Sequence, residues 1–179
     1  YYDGDDWRGT LAVDGGGALM NQGIHALDLL VWMLGKPQQV SAKTGRLAHE
    51  GIEVEDLAGA SIVFESGAIG LMLASTAAYP GRPVRLTIHG DQGTAVLDDD
   101  ALAYFASANG DAPEAPILEG PDGWGAVELA HLAQYRDFVA AVREGREPAI
   151  TLEAGRRSLA TVLAVYESAR TGHPVDLDD

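Results

Sequence analysis

Apolar and polar positions along this chain fall into three successive regimes: one greasy helix, a run of alternating strands, and two amphipathic helices. The first is written in DGGGALMNQGIHALDLLVWMLG, residues 14–35. After the glycine triplet, a single helix is predicted from Ala18 to Leu34, closed by Gly35 with Pro37 just beyond. At 3.6 residues per turn, Met20, Ile24, Leu27, Leu30, Val31 and Leu34 fill a broad apolar arc, which Leu29 and Met33 extend. No Lys, Arg or Glu interrupts this span, so the helix is expected to be buried. One polar stripe crosses it: Asn21, His25 and Asp28, with Trp32 continuing the row. That spacing stacks the four side chains along one line. A buried polar stripe must be satisfied by a hydrogen-bonded network or border a cleft where something binds.

The second regime alternates with a period of two. Strands are predicted at Val40–Ala48, Leu57–Glu65, Ala68–Tyr79, Val84–His89, Ala95–Leu97 and Leu102–Phe105, with turns at Ser66-Gly67 and at Gly90 to Gly93. Ahead of the helix, Arg8 to Val13 also reads as a short strand. The hairpin-like connections imply antiparallel pairing. Gly59, Ser61, Gly70, Ala74 and Thr76 place small side chains where strands usually carry large ones. Such a smooth face can lie flat against another sheet, and a subunit contact through it is expected.

Residues 107–124 are rich in glycine, proline and acids and are expected to form a long mobile loop. Two helices follow. Ala126–Glu144 turns Leu132, Tyr135, Val139 and Val142 to the core, and Thr151–Thr171, capped by Thr151, packs Leu159, Val162, Leu163 and Tyr166. The order of elements predicts an α+β fold, an open, mostly antiparallel β-sheet with helices on one face.

At 179 residues the chain is long enough for one domain with a real core. A formal charge of −15 disfavours nucleic acid or an anionic membrane surface as partner. Without cysteine there is no disulfide, thiolate cluster or cysteine nucleophile, which is compatible with the cytoplasmic location expected here. No apolar run approaches membrane-spanning length. Opening on Tyr1-Tyr2 rather than methionine, the sequence reads as a piece of a longer protein.

His25 is the sharpest chemical candidate, because imidazole takes or gives a proton at neutral pH with little adjustment. Asn21 and Asp28 could orient it or bind a substrate hydroxyl. The competing reading makes His25 and Asp28 a structural pair. A metal site is a further alternative, with His25 and Asp28 joined by His49, His89 or His131, though no HExxH-type pair occurs. The triplet Gly15-Gly16-Gly17 either brings backbone close to something or simply turns the chain. It is no dinucleotide fingerprint, since Met20 occupies the third glycine's place and no βαβ unit precedes it. Walker and G-x-S-x-G motifs are absent.

Several motifs together carry a resemblance. WRGT (residues 7–10) followed by DGGGALMNQGIHALDLLVWMLG resembles the signature of the glucose-fructose oxidoreductase, inositol dehydrogenase and rhizopine-catabolism family, Gfo/Idh/MocA. HEGIEVED (49–56), the SGAIG hairpin, STAAYPGRP (75–83), the IHG-x-x-G turn and the closing YESARTGHPV (166–175) are similar to it too. The likeness spans nearly the whole chain but only the family's C-terminal domain, which supplies the substrate pocket and often the oligomer contact. The resemblance implies an N-terminal Rossmann domain outside this sequence that binds NAD or NADP and supplies a lysine, so this piece alone is expected to be inactive. It implies a sugar, polyol or related substrate, oxidised by hydride transfer, and a homo-oligomer. His25 matches the family's acid/base histidine. Asn21 falls where several sugar and inositol dehydrogenases carry aspartate, which keeps the hydrogen bonding and loses the charge. Trp7 and Arg8 fall in the stretch approaching the cleft, and His131 resembles a position facing the same pocket. The rival expectation is a non-catalytic binding or assembly module that retains the fold.

Overall fold

The computed structural model describes residues 2, 7–99, 101–110, 121, 123 and 125–177. Most of the loop expected at 107–124 lies outside the described residues. The first element departs from the sequence reading. Residues 8–13 are not a strand: a turn leads into a short helix α1, Leu11–Asp14, whose Asp14 carboxylate accepts the Gly9 amide at 2.6 Å. The turn needs a positive φ at Gly9, which a continuing strand would not tolerate.

The long helix begins as one π turn, Leu19–Gly23, and continues as α2, Ile24–Leu34, ending at Gly35. The wider turn is where helix meets sheet: a side chain at Gly23 would press on Ala74 of the third strand. The expectation of burial is half corrected. Leu27, Leu30 and Val31 are buried, whereas His25, Asp28, Leu29, Trp32 and Met33 are exposed, Trp32 to 76%. The absence of Lys, Arg and Glu marks an apolar helix with one uncovered flank.

Strands β1 (Pro37–Gly45), β2 (Leu57–Phe64) and β3 (Ile69–Ser75) pair antiparallel, and β1 also pairs with the short terminal strand β7 (Val175–Asp176), giving the order β3-β2-β1-β7. Strands β4 (Arg85–Gly90), β5 (Gly93–Asp98) and β6 (Ala101–Ser107) form a second antiparallel sheet. The architecture is α+β with open sheets, as the hydrophobic pattern predicts, but in two sheets rather than one.

Helix α4 (Leu152–Thr171) lies along β1, with Thr151 accepting the Ala154 amide at 3.2 Å. Its core face is Thr161, Val162, Ala164 and Val165, while Leu159 and Leu163 are exposed, contrary to expectation. Together with α2 it covers one face of the larger sheet, packing on Val40, Ala58, Ile62 and Phe64. Helix α3 (Ala126–Glu144) has the expected bounds but not the expected core face: Tyr135, Val139 and Val142 are exposed, and Ala141 is its buried residue.

The smooth face also needs correction. Gly70 and Ala74 point inward, where Gly70 lets Leu30 and Phe64 approach and Ala74 meets Gly23. The outward face instead sets Gly59 and Ser61 of β2 beside exposed Leu73 and Leu71 of β3, Leu71 being 78% exposed. It is small in the middle and greasy along one edge.

Candidate active site

The start of the long helix is held by a buried acid. Glu55, on the segment leading into β2, accepts the amides of Gly17 and Leu19, each at 2.9 Å, and the Tyr166 hydroxyl of α4 at 3.0 Å. Its own carbonyl oxygen accepts the Ala18 amide at 3.0 Å. Amides at a helix start lack partners within the helix, and a carboxylate there satisfies them and complements the helix dipole. The Tyr166 hydroxyl also faces the Met20 amide at 3.2 Å. Burial first, then the Glu55 charge and its hydrogen bond, push the Tyr166 phenol above its ordinary pKa, so it stays a neutral donor.

This clamp explains the second and third glycines of the triplet, while Gly15 caps α1 at a positive φ. A side chain at Gly17 would overlap the Glu55 carbonyl, and one at Gly16 would overlap the Tyr166 hydroxyl. The triplet therefore brings backbone close to the chain's own polar groups and leaves no cradle for a phosphate. Sequence reasoning missed Glu55 and Tyr166 as a functional pair. The available signal was the tandem acid Glu55-Asp56 immediately before an apolar strand.

Asp56 is a second satisfied acid, fully buried. It accepts the amides of Leu47 (2.8 Å), Ala48 (2.7 Å) and His49 (2.9 Å), with the His49 ring at 3.2 Å from the same carboxylate. Burial alone would raise its pKa; the three amides and the imidazole outweigh burial and hold it well below the usual carboxylate range. The loop that precedes β2 is thereby fixed, and Glu55 with it.

Downstream of the clamp, the polar stripe emerges at the surface. His25 is exposed, and Asn21, one turn earlier, is half-buried with its side-chain oxygen accepting from the Gln22 amide group at 3.2 Å. Asp28 is not joined to His25 by a hydrogen bond. It accepts from the buried Ser158 hydroxyl of α4 at 2.5 Å, tying the two helices together. This separates the structural pair expected of the stripe from its histidine: the partner of Asp28 is Ser158.

The other sequence candidates have local partners. Arg8 sits over the Trp7 ring, 5.0 Å from its centroid. His131 is on the exposed side of α3, its Nδ1 2.8 Å from the Val127 carbonyl of its own helix, and no hydrogen bond joins it to the stripe among the described residues. Among those residues, no three His, Cys, Asp or Glu side chains are grouped to hold a metal.

Beside the stripe, the next flank of the helix borders a cleft of about 320 Å³. Gln22 and Ala26 form one wall, β3 the second, and the start of β4 the third. The helix thus presents an exposed imidazole and a carboxamide close to a concave surface, an arrangement suited to exchanging a proton with a bound hydroxyl.

Comparison with known proteins bears on this geometry. The family model "Oxidoreductase family, C-terminal alpha/beta domain" (GFO_IDH_MocA_C) matches residues 2–177. D-apiose dehydrogenase of Paraburkholderia graminis is 28% identical over 163 residues, 87% of this chain and 43% of that protein. The scyllo-inositol 2-dehydrogenase (NAD(+)) of Bacillus subtilis is 25% identical over 167 residues, 91% of this chain and 48% of that protein. Among solved structures, the WlbA dehydrogenase from Bordetella pertussis, in complex with NADH and UDP-GlcNAcA, is 32% identical with a TM-score of 0.78, covering 100% of this chain and 50% of its own. The chain spans about half the length of the curated relatives it matches. With the family model matching residues 2–177 and a similar fold in a solved relative, the chain belongs to the Gfo/Idh/MocA oxidoreductase family and corresponds to its C-terminal alpha/beta domain.

Proposed function

We propose that this chain is the substrate-binding half of a nicotinamide-dependent dehydrogenase acting on a sugar or polyol hydroxyl, with His25 as the acid/base. One observation carries the reading: His25 is exposed on a rigidly seated helix, next to a cleft, while the acids around it are engaged elsewhere. The names of the relatives, dehydrogenases of apiose and inositol, support the substrate class.

The approaches to Gly16 and Gly17 are filled by Tyr166 and Glu55, so the residues here do not fit a dinucleotide, and its site would lie in an N-terminal Rossmann domain. Bound there, NAD or NADP would supply the hydride acceptor. What this chain supplies is the proton chemistry. As the carbinol C–H bond breaks and its electron pair departs with the hydride, the hydroxyl proton passes to an imidazole nitrogen of His25 and a C=O forms. Asn21 offers a carboxamide that hydrogen-bonds the hydroxyl without adding charge. Trp7, Arg8, Asp28 and His131 are assigned supporting positions, Asp28 acting through α4 rather than on substrate. Proton transfer by a placed group is worth ~10²–10⁴ in rate, and fixed orientation provides much of the remainder.

The outward face of the larger sheet, with Gly59 and Ser61 beside Leu71 and Leu73, is the surface we assign to self-association. The test of function is nicotinamide reduction by the full-length polypeptide against a panel of aldoses and inositols. Turnover with at least one is expected. A folded protein that reduces neither NAD nor NADP with any of them would instead be a binding module.

A further inference from the structure

The walls of the cleft beside α2 have a composition unlike the rest of the molecule. The chain carries 27 acidic residues against 12 Lys and Arg. Yet the cleft is lined by two arginines, Arg82 and Arg85, and by no acidic residue. The arginines stand at its β4 end, and Gln22 of the π turn, Ser75 at the end of β3 and Thr76 just after it share the lining. The floor is apolar, with Leu27 and Leu30 of the helix.

The two arginines are not equivalent. Arg85 is committed: its Nε and an Nη each donate to Asp98 at 2.6 Å, a two-pronged pairing that uses the carboxylate. Arg82 touches Asp98 only through longer-range attraction, and among the described residues it makes no hydrogen bond or ion pair. Asp99, the next acid along, accepts the Val84 amide at 2.9 Å. A guanidinium with open donors therefore stands at the edge of a concave site.

A second orphan lines the same cleft. The Thr76 hydroxyl oxygen is buried and has no hydrogen-bond partner, although its backbone amide is paired with the Asp56 carbonyl. Buried polar atoms are nearly always satisfied, and one left open on a cleft wall is placed for a ligand or a water. The cleft also runs between the free edges of two sheets, β3 of the larger and β4 of the smaller, where strand backbone groups lack a neighbour. A planar guanidinium, a hydroxyl and a carboxamide around a common space form a donor set matched to carboxylate or phosphate oxygens. Backbone edges add partners for hydroxyl groups.

We infer that this cleft is a specificity subsite for a negatively charged substituent, carboxylate or phosphate, on the hydroxylated substrate, with Arg82 as the residue that selects it. On a chain of net charge −15 the preference has to be built locally, since the chain's own field repels anions. The inference rests on the dehydrogenase reading only for the idea that the reacting hydroxyl sits at His25, one residue before the Ala26 wall.

The experiment is calorimetric titration of the full-length protein with three probes sharing one ring: D-glucose, D-glucuronate and D-glucose 6-phosphate. At least one acidic sugar is expected to bind about tenfold or more tightly than glucose, and which one does so separates carboxylate from phosphate. Arg82→Gln, a substitution on an exposed loop, should bring the acidic sugar to within about twofold of glucose. His25→Ala should leave the preference in place, so the subsite and the acid/base role fail separately. Equal binding of all three sugars, no binding of any, or a preference that survives Arg82→Gln would overturn the inference.

Discussion

Glu55 and His25 both border the opening turns of the same helix, and their surroundings are opposite. Glu55 is buried, and both its carboxylate oxygens are engaged by two backbone amides and a phenol of the chain itself. His25 is exposed, a turn beyond Asn21, and no hydrogen bond within the described chain uses its ring. The contrast separates two meanings of a polar residue on an apolar element. Where every bond is met inside, the residue fixes backbone; where bonds are left open beside a cleft, it is available for chemistry. Glu55 fixes the start of the helix that carries His25, so the two residues are linked through that shared backbone.

Substitutions on the two sides should break in different ways. Gly17→Ala is expected to be the most severe, because the added carbon meets backbone rather than a movable side chain. Relieving it breaks the Ala18–Glu55 bond, and a loss of ~4 kcal/mol or more in a urea melt is expected. Glu55→Ala comes next: it strands the Gly17 and Leu19 amides and the Tyr166 hydroxyl, for an expected loss of ~2–3 kcal/mol.

Asp56 sharpens the comparison through pH. Folding depresses its pKa, so its stabilisation is complete above the unfolded aspartate value of ~3.9 and is lost as pH falls below that toward the folded value. Wild-type stability should therefore fall on acidification below about pH 4, and Asp56→Asn should be less stable at neutral pH with a flatter acid limb. Denaturation midpoints at pH 3 and pH 7 for both proteins check this.

The sequence and the structure agree where one local signal governs. The bounds of α3 and α4, the Thr151 cap and the antiparallel strands follow from periodicity and end signals, which need no knowledge of neighbours. The stripe of Asn21, His25 and Asp28 was equally plain. What failed depended on partners distant in sequence. The glycine triplet could be read as a turn or a close approach, and only the position of Glu55, 38 residues from Gly17, decides between them. The competing reading that pairs Asp28 with His25 rests on helical spacing alone, whereas the hydrogen-bond partner of Asp28, Ser158, lies 130 residues away in sequence. Leu159, Leu163, Tyr135, Val139 and Val142 are exposed despite their periodicity, because amphipathicity gives the side of a helix that is apolar, not what covers it. Gly70 and Ala74 lie on the inner face for a related reason: their small size reflects how close the helix comes, and β3 turns those positions inward.

The mildest change to the fold should be the most damaging to activity. His25→Ala removes an exposed side chain with no internal bond and should alter stability by less than ~0.5 kcal/mol. Steady-state turnover of the full-length His25→Ala protein, measured beside its melting curve, is the most direct test of the central claim. The account predicts an unchanged melt with kcat lowered about 10²–10⁴-fold. An unchanged melt with wild-type turnover would contradict it.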